Sequence, residues 1–197
     1  MNGHKARTDK KRELIIQSAL VLFKSLSPGK VSIREIAAQA QVSVVTIYNY
    51  FGSKEGLMLE VIRSVLSNQL HLAEQITTSN DSTEVKISKL IFTKSEMLNQ
   101  FHPDFISLIL NDPNMKTMID HDFINKTYEM ITAFINDAKA EGAFSKDLPN
   151  EIIMKIIELY RKDISSEQSI LFNHPEDIKN HELILKILLY GIAGYKS

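Results

Sequence analysis

Residues 31–57 read VSIREIAAQAQVSVVTIYNYFGSKEGL, and the fold is decided there, because two short helices are written with their caps and a three-residue joint. The Ser32 hydroxyl can accept the backbone N–H of Glu35 while the Glu35 carboxylate accepts the N–H of Ser32, a reciprocal cap that fixes where the first helix starts. Ile33, Ile36, Ala37 and Ala40 follow at spacings of three and four, so they share one face, and that face is expected to be buried. Gln41, Val42 and Ser43 form the joint. Ser43 is again a good cap residue, so the chain can stop, turn and restart at about Val44.

In the second helix Ile47 and Phe51 lie four apart and can pack onto the first. This leaves Val44, Val45, Thr46, Tyr48, Asn49 and Tyr50 on outward or flanking faces. Two valines and two tyrosines make an unusual solvent face but suit a B-DNA major groove. There Val and Thr methyls meet thymine methyls, Asn pairs with adenine and Tyr hydroxyls bond phosphates. Gly52 ends the helix, and Ser53-Lys54 opens the next with a cap and a cation beside unpaired N–H groups, where a phosphate is favoured. The competing reading is an ordinary helical hairpin inside a bundle core.

The segment TIYNYFGSKEGL resembles the end of the DNA-binding domain of TetR-family transcriptional regulators, with Thr46, Tyr48, Tyr50, Phe51 and Lys54 at the matching positions. The resemblance runs back through Ile33-Arg34-Glu35-Ile36-Ala37 to Leu22-Phe23, roughly the first quarter of the chain. It implies a DNA-binding set of Arg34, Ser43, Val44, Val45, Thr46, Tyr48, Asn49, Tyr50 and Lys54. One position departs from the pattern: many members carry Gly in the turn where this chain has Gln41. The residue there has either to accept a left-handed conformation or to bend the joint differently.

Charge is distributed in keeping with such a head. Residues 1–54 hold nine Lys and Arg against three acids, a net of +6, whereas residues 55–197 carry a net of −7. A basic head on an acidic body directs a polyanion to one end. The cluster Lys5, Arg7, Lys10, Lys11 and Arg12 just ahead of the motif is expected to be a phosphate-contacting arm, mobile when unbound. At 197 residues with 44% hydrophobic composition the chain can hold one or two compact domains. With zero Cys it has no disulfide, thiolate metal site or thiol nucleophile. No apolar run is long enough to cross a membrane and neither end reads as a targeting signal, so a cytoplasmic location is expected.

The expected fold is all-α, with about nine helices. A three-helix helix-turn-helix head over 1–54 precedes a larger ligand-binding and dimerisation body over 55–197. The first helix is predicted from about Thr8 to Leu26, stopped by Ser27-Pro28-Gly29, and the fourth from Ser53 toward Thr77. Further helices are predicted near 82–100, 103–110, 113–140, 149–165 and 175–195, with Pro103, Pro113, Pro149 and Pro175 in or beside their first turns. No alternating strand pattern and no internal repeat is present.

The middle helices are rich in aromatic and Met residues. Core packing explains most of them, but Met and Phe also line adaptable pockets. The resemblance implies an effector chamber among these helices. Its candidate lining is Phe92, Met97, Phe101, Phe105, Met118, His121 and Tyr128, suited to a small hydrophobic or amphipathic molecule. The last two helices are apolar over more than one face, and such a helix needs two partners. One partner is the body, and the other is a second subunit in the two-fold interface the resemblance implies, through Ile153, Ile157, Tyr160, Ile184 and Leu188.

A metal or a catalytic centre finds little support. His121 lies between Asp120 and Asp122 and His102 is close to Asp104, but neighbouring helical residues diverge by ~100° and rarely share one ion. No phosphate loop, nucleophile elbow or metalloprotease motif occurs, so neither a cofactor nor an enzyme is expected. The leading expectation is a homodimeric repressor that binds a near-palindromic double-stranded operator and is released by a small effector. The alternative is a ligand-independent architectural or partner-binding DNA protein.

Overall fold

The computed structural model describes residues 2–111, 121–164 and 180–194, and within these every regular element is an α-helix. In chain order they are α1 (Asn2–Ser25), α2 (Ile33–Gln39), α3 (Val44–Phe51), α4 (Lys54–Thr77), α5 (Thr83–Gln100), α6 (Pro103–Asn111), α7 (His121–Ala140), α8 (Asn150–Ile164) and α9 (His181–Gly194). The first part of the helix predicted over 113–140 and the start of that over 175–195 lie outside the described residues, together with Met118. Helix α1 begins at Asn2 rather than Thr8. The stretch expected to be a separate arm is therefore helical, in keeping with the good helix propensity of its Lys, Arg and Ala residues.

The chain divides into two compact units. The first holds residues up to Ser67 together with α6; the second holds residues 68–99 and the helices from α7 onward. Helix α4 carries the chain from one to the other. In the first unit Ile15, Ile16, Ala19 and Phe23 of α1, Ile36 and Ala37 of α2, Ile47 of α3 and Leu57, Val61 and Ile62 of α4 are buried. Helix α6 joins this unit through aromatic packing. Phe105 stacks on Phe23 with ring centroids 5.1 Å apart and meets Phe101 at 5.0 Å, while the His102 N–H donates to the Phe23 carbonyl at 3.0 Å. His102 also caps α6, its Nδ1 accepting the N–H of Asp104 at 3.2 Å.

The second unit is built around Ile87 and Ile91 of α5, Phe134, Ile135 and Ala138 of α7, Phe144, and Ile153 of α8, with Leu185 and Leu189 of α9 packed against them. Phe134 and Phe144 meet edge-on at 6.1 Å. The turn that brings Phe144 back under α7 is a Schellman cap. Gly142 takes φ 76°, and the Gly142 and Ala143 N–H groups donate to the carbonyls of Lys139 and Ala138. The Lys139 ammonium then ties the loop to α8 by donating to the Leu148 carbonyl and to Asn150 Oδ1.

Candidate DNA-binding surface

The joint between α2 and α3 is built from the two caps read in the sequence. Ser32 Oγ accepts the Glu35 N–H at 3.2 Å and Glu35 Oε2 accepts the Ser32 N–H at 2.7 Å, closing the reciprocal cap of α2. These bonds from Ser32 hold the Glu35 carboxyl below the usual carboxylate range, with a smaller push from the Lys54 charge. At the other end of α2 the Gln41 N–H donates to Ala38 and the Val42 N–H to Ala37, and Gln41 itself takes φ 54°. This is the same Schellman cap that Gly142 makes, with glutamine in the left-handed position. Of the two ways Gln41 could be accommodated, the backbone takes the left-handed one and keeps a regular cap.

Helix α3 starts at Ser43, whose hydroxyl accepts the Thr46 N–H at 3.0 Å and lies 2.8 Å from the Thr46 hydroxyl. Ile47 is fully buried beneath it, which orients the rest of the helix. Val45 is 65% exposed, and Tyr48 and Asn49 stand out beside it. Val44, Thr46 and Tyr50 are half-buried flanks, and Arg34 projects from α2 into solvent. The structure thus brings Val45, Tyr48 and Asn49 onto one outward face of a rigidly capped helix, an arrangement that can present methyl, phenol and amide groups to base edges and phosphates.

Two cations read as phosphate ligands are engaged inside the unit. Lys54 Nζ donates to the Pro28 carbonyl at 2.9 Å, fastening the α1–α2 loop to the start of α4. An ammonium has three donors, so this bond leaves others for a phosphate. Arg12 forms an ion pair with Glu60 of α4, and its guanidinium lies 5.6 Å from the centroid of the Phe51 ring. Glu60 also receives Arg63 at 3.1 Å. Arg12 therefore links α1, the end of α3 and α4, while Lys10 and Lys11 remain exposed on α1.

A glycine that the motif reading passed over also holds this surface. A Cβ on Gly56 would come within 2.1 Å of the Phe51 carbonyl oxygen, so only glycine lets α4 start so close to the end of α3. The signal was present in the sequence as the Lys-Glu-Gly that follows the second helix. Its meaning depends on a backbone approach that spacing does not reveal.

The residues named for an effector chamber fall in both units. Phe105 stacks on Phe23 and meets Phe101 in the first unit; Met97 is buried in α5; Phe92 is 65% exposed and Tyr128 sits at the surface. Met118 lies outside the described residues, and so does the side chain of His121. The second unit has an open groove of about 550 Å³ between the end of α4 and α7, whose lining includes the charged Glu74, Lys126, Glu129 and Asp137 and the apolar Met130 and Phe134.

On α8 and α9 the phase of the apolar faces differs from expectation. Ile153 is buried in its own subunit's core and Ile157 packs against that core, while Tyr160, Ile184 and Leu188 are half-buried. The outward apolar positions are Ile152 and Leu159 of α8 and Leu183, Ile187 and Tyr190 of α9, with Ile187 72% exposed. A one-residue step turns a helix by ~100°, so a core stripe through Ile153 and Ile157 leaves Ile152 and Leu159 facing away.

Residues 15–61 match the family model described as bacterial regulatory proteins, tetR family. Among curated proteins, the HTH-type regulator YuxN of Bacillus subtilis is 31% identical over 105 residues, 53% of this chain but only 36% of YuxN. This chain therefore spans about a third of that relative's length. The HTH-type transcriptional repressor KstR2 of Mycolicibacterium smegmatis is 23% identical over 151 residues, 75% of this chain and 74% of KstR2. Among solved structures, a TetR-family regulator from Pectobacterium atrosepticum superposes with a TM-score of 0.68, covering 98% of each chain at 17% identity. At that identity the match speaks for the fold. No helix among the described residues is long and apolar enough to cross a membrane.

Proposed function

We propose, for a chain that belongs to the TetR family of bacterial regulatory proteins, that this transcriptional regulator is a cytoplasmic, non-enzymatic repressor. In this reading it works as a homodimer, binding a near-palindromic operator through residues 1–54 and leaving it when a small hydrophobic or amphipathic effector enters the body. The observation that carries the reading is the outward face of α3. Val45, Tyr48 and Asn49 are exposed on a helix whose start is capped by Ser43 and whose roll is fixed by buried Ile47. Each subunit lays this face in one major groove, and two-fold symmetry makes the half-sites inverted copies.

The second subunit is supported by the exposed apolar residues of α8 and α9, among them Leu159, Leu183 and Ile187. Repression agrees with the name of KstR2, a repressor aligned over three quarters of this chain. Effector release is population shift: a ligand that favours a body shape with the two heads at the wrong spacing weakens operator binding by its differential affinity for the two shapes. The test is selection from random duplexes with the full chain. The reading expects an enriched near-palindrome bound by two subunits or a multiple of two. Recovery of no sequence preference would overturn it.

A further inference from the structure

Helix α3 carries no formal charge. Its eight residues, VVTIYNYF, include no Lys, Arg, Asp or Glu, and that composition limits what the helix can recognise in a base pair. Guanine is read in the major groove by a guanidinium or ammonium that donates to its O6 and N7, and cytosine by a carboxylate that accepts from its N4 amine. Neither kind of group is present on α3. The cations around it serve other contacts: Lys54 donates to the Pro28 carbonyl and Arg12 pairs with Glu60. Arg34 stands in the first turn of α2, the helix that in this docking geometry crosses the phosphate backbone instead of entering the groove.

The hydroxyls at the start of the helix are engaged as well. Ser43 Oγ accepts the Thr46 N–H and lies 2.8 Å from Thr46 Oγ1, and Thr46 is half-buried. What remains outward is Val45, Tyr48 and Asn49, at positions i, i+3 and i+4 of one face. The exposed isopropyl group of Val45 matches the C5 methyl of thymine, the apolar feature of a major-groove base edge. The Asn49 carboxamide accepts from N6 of adenine and donates to its N7. Tyr48 offers a hydroxyl to a phosphate. One helical turn separates Val45 from Asn49, about 6 Å along the axis, which is close to two base-pair steps of about 3.4 Å each.

We infer that the centre of each operator half-site is made of A·T pairs: within about three successive base pairs, Val45 recognises a thymine by its methyl and Asn49 an adenine by N6 and N7, and α3 reads no guanine. This rests on the operator-binding reading above and names the base pairs that reading selects. Of the nine residues assigned to DNA by resemblance, two then carry the sequence preference of α3. The charged ones among them, Arg34 and Lys54, position the duplex through its phosphates.

The experiment is selection from random duplexes with the full-length wild type, Val45→Ala and Asn49→Ala, followed by base analogues placed in the enriched operator. Both substitutions are on exposed positions, and the base pair whose preference a variant relaxes is the one that side chain reads. The expected result is that both relaxed positions are A·T and lie within about three base pairs of each other. Thymine at the Val45 position is then replaced by uracil, which removes only the methyl, and adenine at the Asn49 position by 7-deazaadenine, which removes only the N7 acceptor. Each analogue should weaken the wild type by at least about threefold. Uracil should cost Val45→Ala nothing further, and 7-deazaadenine should cost Asn49→Ala nothing further. A G·C pair at either position, a variant that relaxes no position, or wild-type affinity unchanged by either analogue would overturn the inference; an A·T centre indifferent to the analogues would mark a preference for duplex shape instead. If the wild type enriches no sequence, the operator-binding reading itself fails, which is a different outcome from an enriched operator with a G·C centre.

Discussion

Gln41 holds a backbone conformation in which a Cβ crowds the following carbonyl, at a cost of about 1 kcal/mol. Gln41→Gly is therefore expected to raise stability by about 0.5–1 kcal/mol, read as a shift of the urea midpoint at constant slope, whereas a β-branched Gln41→Val lowers it. Arg12 belongs to the same scale. As a guanidinium shared between Phe51 and Glu60 it orients the end of α3, so Arg12→Lys, which keeps the charge, should still cost operator specificity. Glu60→Gln should show the same loss with an unchanged salt dependence. A pure phosphate contact would instead make Arg12→Ala reduce the salt slope and leave Glu60→Gln silent. The sequence had Arg12 as one cation in a basic run, because pairing with residues 39 and 48 positions away leaves no local pattern.

Helices α2 and α3 were legible almost to the residue, since their boundaries are set by side chains that bond backbone groups three residues away: Ser32 with Glu35, and Ser43 with Thr46. Ser32→Ala should cost about 1 kcal/mol of stability, and Glu35→Ala should do similar damage by opening the other half of the cap. The Glu35 carboxyl is held low by its bonds to Ser32, so its contribution is present above the ordinary carboxylate range. It is lost as pH falls through the depressed native value. The α3–α4 join was less legible. Gly56→Ala puts a methyl on the Phe51 carbonyl and is expected to destabilise by about 1–3 kcal/mol, with DNA binding lost before the fold. For α8 and α9 the sequence showed two apolar faces but not which was inward. Six or more apolar positions per helix fit several rotations, and only packing against α5 and α7 selects Ile153 and Ile157 for the core.

At the scale of the whole molecule, the separation of a +6 stretch from a −7 remainder is a statement about where a polyanion goes, and it was fully present in the composition. The placement of the residues named for an effector was not. Phe105 reads as lining but stacks on Phe23 with Phe101 against it, because aromatic spacing alone does not distinguish a wall from a core. Assembly is tested by Ile187→Glu combined with Leu159→Lys. On the outward face these substitutions should leave the fold intact and shift sedimentation to the monomer, with operator affinity falling at least about a hundredfold as the second half-site is lost. The same pair of substitutions with no change in assembly would remove α8 and α9 from the interface.

The central claim, that the outward face of α3 reads base edges, is tested most directly by the ratio of affinities for the selected operator and a scrambled duplex. The ratio is to be measured across a range of salt for the wild type and for Asn49→Ala. The account predicts that both duplexes lose affinity linearly in log salt, that the wild type prefers the operator by about a thousandfold or more, and that Asn49→Ala cuts this preference by about tenfold with the salt slope unchanged. Equal affinity of the wild type for the two duplexes, or an Asn49→Ala variant that weakens both alike, would contradict it.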